Sequence, residues 1–113
     1  MTIEEFVVAY LDERLTEPVS GDVPTPMPAA FVTVEQTGSG ERDRLRSATI
    51  AVQCYAASRA AAGRLCETVI AAIQAMESQA VISSVQLNSS YNYTDTARRR
   101  PRYQAVFDVV HYL

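Results

Sequence analysis

Two stretches with helical spacing of apolar residues, interleaved with four stretches of two-residue alternation, predict an α+β fold. The expected architecture is one mainly antiparallel sheet, with an N-terminal helix and a longer central helix packed on one face, in the order α-β-β-α-β-β. Length sets the scale: 113 residues with 48% hydrophobic and 20% charged side chains describe a single globular domain, 1–113. A chain of that size buries roughly two thirds of its unfolded surface and has material for one core.

Thr2 followed by Glu5 is a capping box, and Ile3, Phe6, Val7, Tyr10, Leu11 and Leu15 recur at helical spacing, so residues 2–15 read as an amphipathic helix. Pro18, Gly21, Pro24, Pro26 and Pro28 then make 16–29 an extended connector, because proline lacks the donor that helix interiors and central strands need; there is room for a short edge strand at Val19 and Ser20. Residues 30–36 alternate, with Ala30, Val32 and Val34 on one face and Phe31, Thr33 and Glu35 on the other, and Thr37-Gly38-Ser39-Gly40 ends that strand. Glu41 to Arg46 is mixed in charge and aperiodic, the expected tip of a long hairpin. Alternation returns over 47–56 and turns Ala48, Ile50, Val52 and Cys54 inward.

Ser58 is the expected N-cap of a second helix reaching about Met76, with Leu65, Cys66, Val69, Ile70, Ile73 and Met76 on its apolar face and Gly63, Arg64, Glu67, Ala71, Gln74 and Ser78 opposite. Residues 81–93 place Val85, Leu87, Tyr91 and Tyr93 on one face of a strand. The last strand, 103–113, turns Tyr103, Ala105, Phe107 and Val109 inward, while Val106 and Val110 make its other face partly apolar. Two helices on one side leave the opposite sheet face without cover from this chain. An uncovered, partly apolar face predicts self-association.

A formal net charge of -3, from 10 basic and 13 acidic residues, argues against a free DNA-binding domain, which usually carries a basic excess. The acidic start is unlike the basic n-region of a signal peptide, and no apolar run approaches the ~20 residues needed to span a bilayer, so a chain made in the cytoplasm and away from membranes is expected. Cys54 and Cys66 lie too far apart for a CxxC pair, and with His111 the only histidine they predict no zinc site; both read as core residues. The competing reading is a small cysteine-dependent enzyme using Cys54 or Cys66 with His111 as base. Gly38-Ser39-Gly40 lacks the third glycine and following helix of a dinucleotide loop and reads as a turn. Asn88-Ser89-Ser90 and Asn92-Tyr93-Thr94 match the glycosylation sequon by chance in a chain with no secretory signal. Arg98-Arg99-Arg100-Pro101-Arg102 is the compact basic run, open to three readings: a phosphate contact, a dock for an acidic neighbour, or a solvated loop.

The ordered set of segments resembles the tail terminator (tail completion, minor tail) proteins of long-tailed bacteriophages and their prophages. It comprises Ile3 to Leu11, Val23 to Gly38, Ala51 to Ala62 leading into a long helix, and Asn92-Tyr93-Thr94-Asp95 before Arg102-Tyr103-Gln104-Ala105-Val106. Tyr55 stands where many relatives carry tryptophan, and Gln36 where many carry a basic residue. The resemblance implies a virion component of tail or neck, made in the bacterial cytoplasm, with no reaction to catalyse and no cofactor or metal. Its partners would be copies of itself in a ring, commonly six-fold, the tail tube protein, and the head's connector, with DNA only passing through the bore. Ring closure needs a heterologous contact. The expected interface residues are Arg42, Arg44 and Arg46 of the hairpin, Arg98, Arg99, Arg100 and Arg102 of the basic loop, and Val106, Val110 and Tyr112 of the second sheet face. A domain of another class, binding a small molecule or regulator on a similar sheet, would need a pocket with convergent polar groups.

Overall fold

The computed structural model describes residues 1–113, the side chain of Arg42 excepted. Helix α1 spans Ile3–Arg14, and its capping box is complete: the Glu5 amide donates to the Thr2 hydroxyl (3.1 Å) while the Thr2 amide donates to the Glu5 carboxylate (2.8 Å). Strands β1 (Val19–Ser20), β2 (Phe31–Arg42) and β3 (Leu45–Tyr55) follow, then α2 (Arg59–Gln74), capped by Ser58 and continued by a 3-10 turn over Ala75–Ser78. Strands β4 (Ile82–Asn92) and β5 (Arg102–His111) complete one five-stranded sheet in the order β1-β2-β3-β5-β4. The fold is α+β. Its sheet is mixed rather than antiparallel throughout, because β1, which the sequence left as an optional edge piece, pairs parallel to β2 through Val19–Val32 and Ser20–Thr33.

Both helices lie on one face, α1 over β1 and β2 and α2 over β3, β5 and β4. Between them and the sheet sits the core: Val7 and Leu11 of α1, Val69 and Ile73 of α2, and Val32, Val34, Ile50, Val52, Ala105, Phe107 and Val109 of the strands are all buried. The inward faces expected for 30–36, 47–56 and 103–113 are the ones that pack here. The Tyr10 hydroxyl donates to the Ala72 carbonyl (2.7 Å), tying the two helices together across the core. Gly63, expected on the solvated side of α2, instead lies against the Tyr103 ring, where an added Cβ would sit 3.5 Å from the ring carbons; its missing side chain lets the helix approach β5.

Three expectations are corrected. The strand placed at 30–36 does not stop at Thr37, and the hairpin tip expected over 41–46 is present but narrows to two residues. Strands β2 and β3 pair from Phe31–Tyr55 to Arg42–Leu45 on both sides of a single bulge, and only Asp43 and Arg44 turn, both at positive φ (52° and 68°), as a two-residue hairpin turn of the primed type requires. A bulge between Gln36 and Gly38 shifts the register, which is why simple alternation fails there. The third correction concerns β4. β4 carries two register shifts, between Ile82 and Ser84 and between Leu87 and Ser89, so Val85 and Leu87 face the core opposite Val109 and Phe107, but Ser89 and Tyr91, beyond the second, oppose Val106 and Gln104 on the other face. One inserted residue flips every side chain after it. The β2–β3 hairpin, about 40 Å long at ~3.4 Å per residue, accounts for the long axis of a molecule measuring 43 × 23 × 23 Å.

Candidate interaction surface

The helix-free face of the sheet divides into three zones along the strands. At one end Phe31 and Tyr55 stack (ring centroids 4.3 Å apart, planes 13° off parallel) and both are fully buried. The chain itself covers them. The segment after β4 folds back so that Asp95, 4% exposed, accepts from the Tyr55 hydroxyl (3.3 Å), the Arg98 amide (3.1 Å) and the Arg98 guanidinium (3.0 Å). The Arg102 guanidinium stands 3.7 Å from the same carboxylate and donates to the Tyr55 hydroxyl (3.0 Å) and the Tyr93 carbonyl (2.6 Å). Arg100 donates to the carbonyls of Pro28 and Ala29 (2.6 Å each), pinning the proline connector to the loop, and its guanidinium faces the Phe31 ring. Burial pushes the Asp95 carboxyl up, but the hydrogen bonds from Arg98 and the charges of Arg102 and Arg98 outweigh it and hold the group below the usual aspartate value.

The middle zone is polar. The Thr33 hydroxyl donates to the Gln53 carbonyl oxygen (2.7 Å), the Gln53 amide donates to Gln104 (2.6 Å), and the Gln104 amide donates to the Tyr91 hydroxyl. This ladder crosses β2, β3, β5 and β4, and it runs along the floor of a shallow trough of about 490 Å³ that is also bordered by Glu35, Val106 and Arg98. The face expected to be uncovered and partly apolar is thus hydrogen-bonded across its centre, and its largest apolar side chains, Phe31 and Tyr55, are already sheltered.

Toward the hairpin the face opens. Leu45 and Val110, both half-buried, line a mainly apolar hollow of about 320 Å³ with Asp43, Arg46 and Ser47, and no other element covers it among the described residues. Arg46 in its wall is exposed, as is Arg44 at the adjacent turn. On the helix side of the same end, a cleft of about 520 Å³ lies between the start of α1 and the hairpin, with Glu41, Arg46 and His111 in its wall. His111 is buried; its Nδ1 accepts from the Leu113 amide (3.1 Å), and burial together with the Arg46 charge lowers its pKa.

The residues expected to form the interface therefore separate. Arg44, Arg46 and Val110 gather at the hairpin end, beside Leu45, which is not among the expected residues; the expected Arg42 belongs to the same strand end, but its side chain lies outside the described ones. Val106 sits in the polar trough, and Tyr112 is 61% exposed beyond β5. Of the basic run, Arg98, Arg100 and Arg102 have partners within the chain, while Arg99, at φ 53° and exposed, has none among the described residues. The fold also joins what spacing kept apart: Cys54 of β3 and Cys66 of α2 are neighbours in the core, and the interaction with Cys66 together with burial pushes the Cys54 thiol's pKa up. Both cysteines are buried and free. Among the described residues no group of three or more His, Cys, Asp or Glu side chains is placed to hold a metal, and no helix is long and apolar enough to cross a membrane. No protein-family model matches the chain, and no curated protein matches it.

Proposed function

We propose that this chain is a structural subunit of the phage tail terminator kind, assembling head to tail into a ring that caps a tail tube, ends its growth and meets the head's connector, with DNA passing through the bore. The carrying observation is the hairpin end of the molecule, where β3 and β5 present an apolar hollow at Leu45 and Val110, with Arg46 in its wall and Arg44 exposed at the adjacent turn, that no other element covers among the described residues. Arginine around a small apolar centre suits a protein contact, since it contributes large contact area with fork-shaped donors. Ring closure requires this hollow to meet a different surface of the neighbouring copy.

The test is to mix the purified protein with growing tail tubes and examine them by negative-stain electron microscopy, with mass measured by light scattering. Rings at one end of length-limited tubes support the reading, and Leu45→Asp should remove them while leaving the fold intact. Tubes of unchanged length with no ring at either end overturn it. A second reading, a small-ligand domain, draws on the polar trough over Gln53 and Gln104. Its polar groups already satisfy one another, so a ligand must displace that ladder; ligand-dependent thermal stabilisation would favour this reading.

A further inference from the structure

The two edges of the sheet are treated differently. On the β2 side, β1 covers Val32 and Thr33, the Gln36 amide donates to the Glu4 carboxylate (2.8 Å), and the Gly38 carbonyl accepts from the Gln36 side chain (3.2 Å). Natural sheets block edges in this way because unpaired N–H and C=O groups template another strand. The β4 edge has one such plug, the Glu77 carboxylate accepting from the Val85 amide (2.8 Å). Beyond the bulge it has none among the described residues. The Tyr93 amide donates inward to the Arg102 carbonyl (2.8 Å), so by antiparallel alternation Tyr91 bonds toward β5, while Ser90 and Asn92 turn both backbone groups outward. The side chains offer no deterrent either: residues 78–94 contain no charge and no proline, and Ser90, Tyr91 and Asn92 are exposed.

We propose that the β4 edge from Ser89 to Asn92 is a self-association site, at which two copies of this chain pair β4 to β4, antiparallel about a two-fold axis near Ser90. The chemistry of the edge calls for an extended strand with outward N–H and C=O groups. The opposite edge of a second copy ends in the two-residue β1, is bonded by side chains at Gln36 and Gly38, and beyond them carries the charged Glu41 and Arg42, which leaves that copy's own uncharged β4 as the matching edge. In a register centred on Ser90, Ser89 opposes the partner subunit's Tyr91 and Asn88 opposes the partner subunit's Asn92, pairs of neutral hydrogen-bonding side chains with no like charges facing. The contact joins two five-stranded sheets into one, with the helices of both copies on the same side. It is isologous and closes at two, so it stands independently of the ring, whose contact is heterologous.

The experiment is sedimentation equilibrium of the full chain from micromolar to millimolar concentration, with amide hydrogen exchange on the same samples. The variants are Ser90→Lys, which sets two like charges on the axis; Asn92→Pro, which deletes an outward donor without touching the β5 ladder; and Ser84→Lys, on the plugged half of the strand, as control. A monomer–dimer equilibrium is expected, weakened at least about tenfold by the first two variants and unchanged by the third, with Ser90 and Asn92 amides protected as dimer forms. A chain monomeric throughout, a dimer indifferent to Ser90→Lys, or unprotected Ser90 and Asn92 amides in the dimer would overturn the proposal. Ring formation on tubes is scored separately on the same variants and bears only on the proposed function.

Discussion

Asp95→Ala isolates the element that closes one end of the second sheet face. The carboxylate is 4% exposed and serves three side chains, the Tyr55 hydroxyl at 3.3 Å, the Arg98 guanidinium at 3.0 Å and the Arg102 guanidinium at 3.7 Å, besides the Arg98 amide at 3.1 Å. Bonds to a charged acceptor contribute roughly 1.5–3 kcal/mol each where water is excluded, but the side chain of Arg98 is half exposed and rehydrates, so its share falls to the ~0.5 kcal/mol of a surface pair. Tyr55 and Arg102, largely buried, keep one bond to each other, so losing the shared acceptor costs about 1–1.5 kcal/mol more, and the Arg98 amide adds ~0.5–1 kcal/mol. The sum is about 2–3 kcal/mol, or roughly 8–12 °C in Tm for a domain of this length. Urea denaturation followed by far-ultraviolet circular dichroism measures it, with Arg99→Ser, exposed and unpartnered among the described residues, as a control within about ±0.5 kcal/mol. A loss below ~0.5 kcal/mol for Asp95→Ala, or an equal loss for Arg99→Ser, would refute the assignment of the loop as a self-contained clamp.

Other consequences are independent of that loop. His111 has its pKa lowered in the folded chain, so the unfolded chain binds the proton more readily; stability should be complete above the unfolded value near ~6.5 and fall as pH drops through it toward the folded value, and His111→Gln should flatten that dependence in pH-resolved thermal melts. Asp95 has its pKa lowered too, so its contribution is complete above about 3.9 and disappears as pH falls from there through the folded value; wild type and Asp95→Ala should converge in stability at the acid end of the same melts. Tyr10→Phe removes the hydroxyl that bonds the Ala72 carbonyl and should cost about 1 kcal/mol by denaturant titration, against roughly 2–5 kcal/mol for Leu11→Ala in the fully buried stripe beneath it.

What the sequence made legible was whatever depends on neighbours along the chain. The capping box of α1, the Ser58 N-cap and buried stripe of α2, and the inward sets of β3 and β5 follow from periodicity and cap chemistry, and they stand in the structure as expected. The misses share a cause. A bulge inserts one residue into one strand because of its partner, so the flip of Tyr91 to the second face and the survival of β2 past Gly38 depend on β5 and β3. The Asp43-Arg44 turn lacks the glycine that usually announces a primed hairpin, and the charges around it read as a loop. No local signal pairs Glu4 with β2 or Glu77 with β4, nor brings Cys54 to Cys66, because those contacts form only when helices dock on the finished sheet.

The basic run shows the same limit with a consequence for testing function. Four arginines in five residues look like one positive patch, yet a patch requires donors aimed at solvent, and three of the four are committed inside the chain: Arg98 to Asp95, Arg100 to the Pro28 and Ala29 carbonyls, Arg102 to Tyr55 and the Tyr93 carbonyl. Replacing Arg98, Arg99 and Arg100 together with serine would therefore release the proline connector along with any partner, and lost assembly would not distinguish the two. Arg44 and Arg46, exposed beside Leu45 and Val110, separate them. Serine at both should leave the melting temperature within about 2 °C while weakening ring formation, whereas Arg100→Ser should lower the melting temperature first.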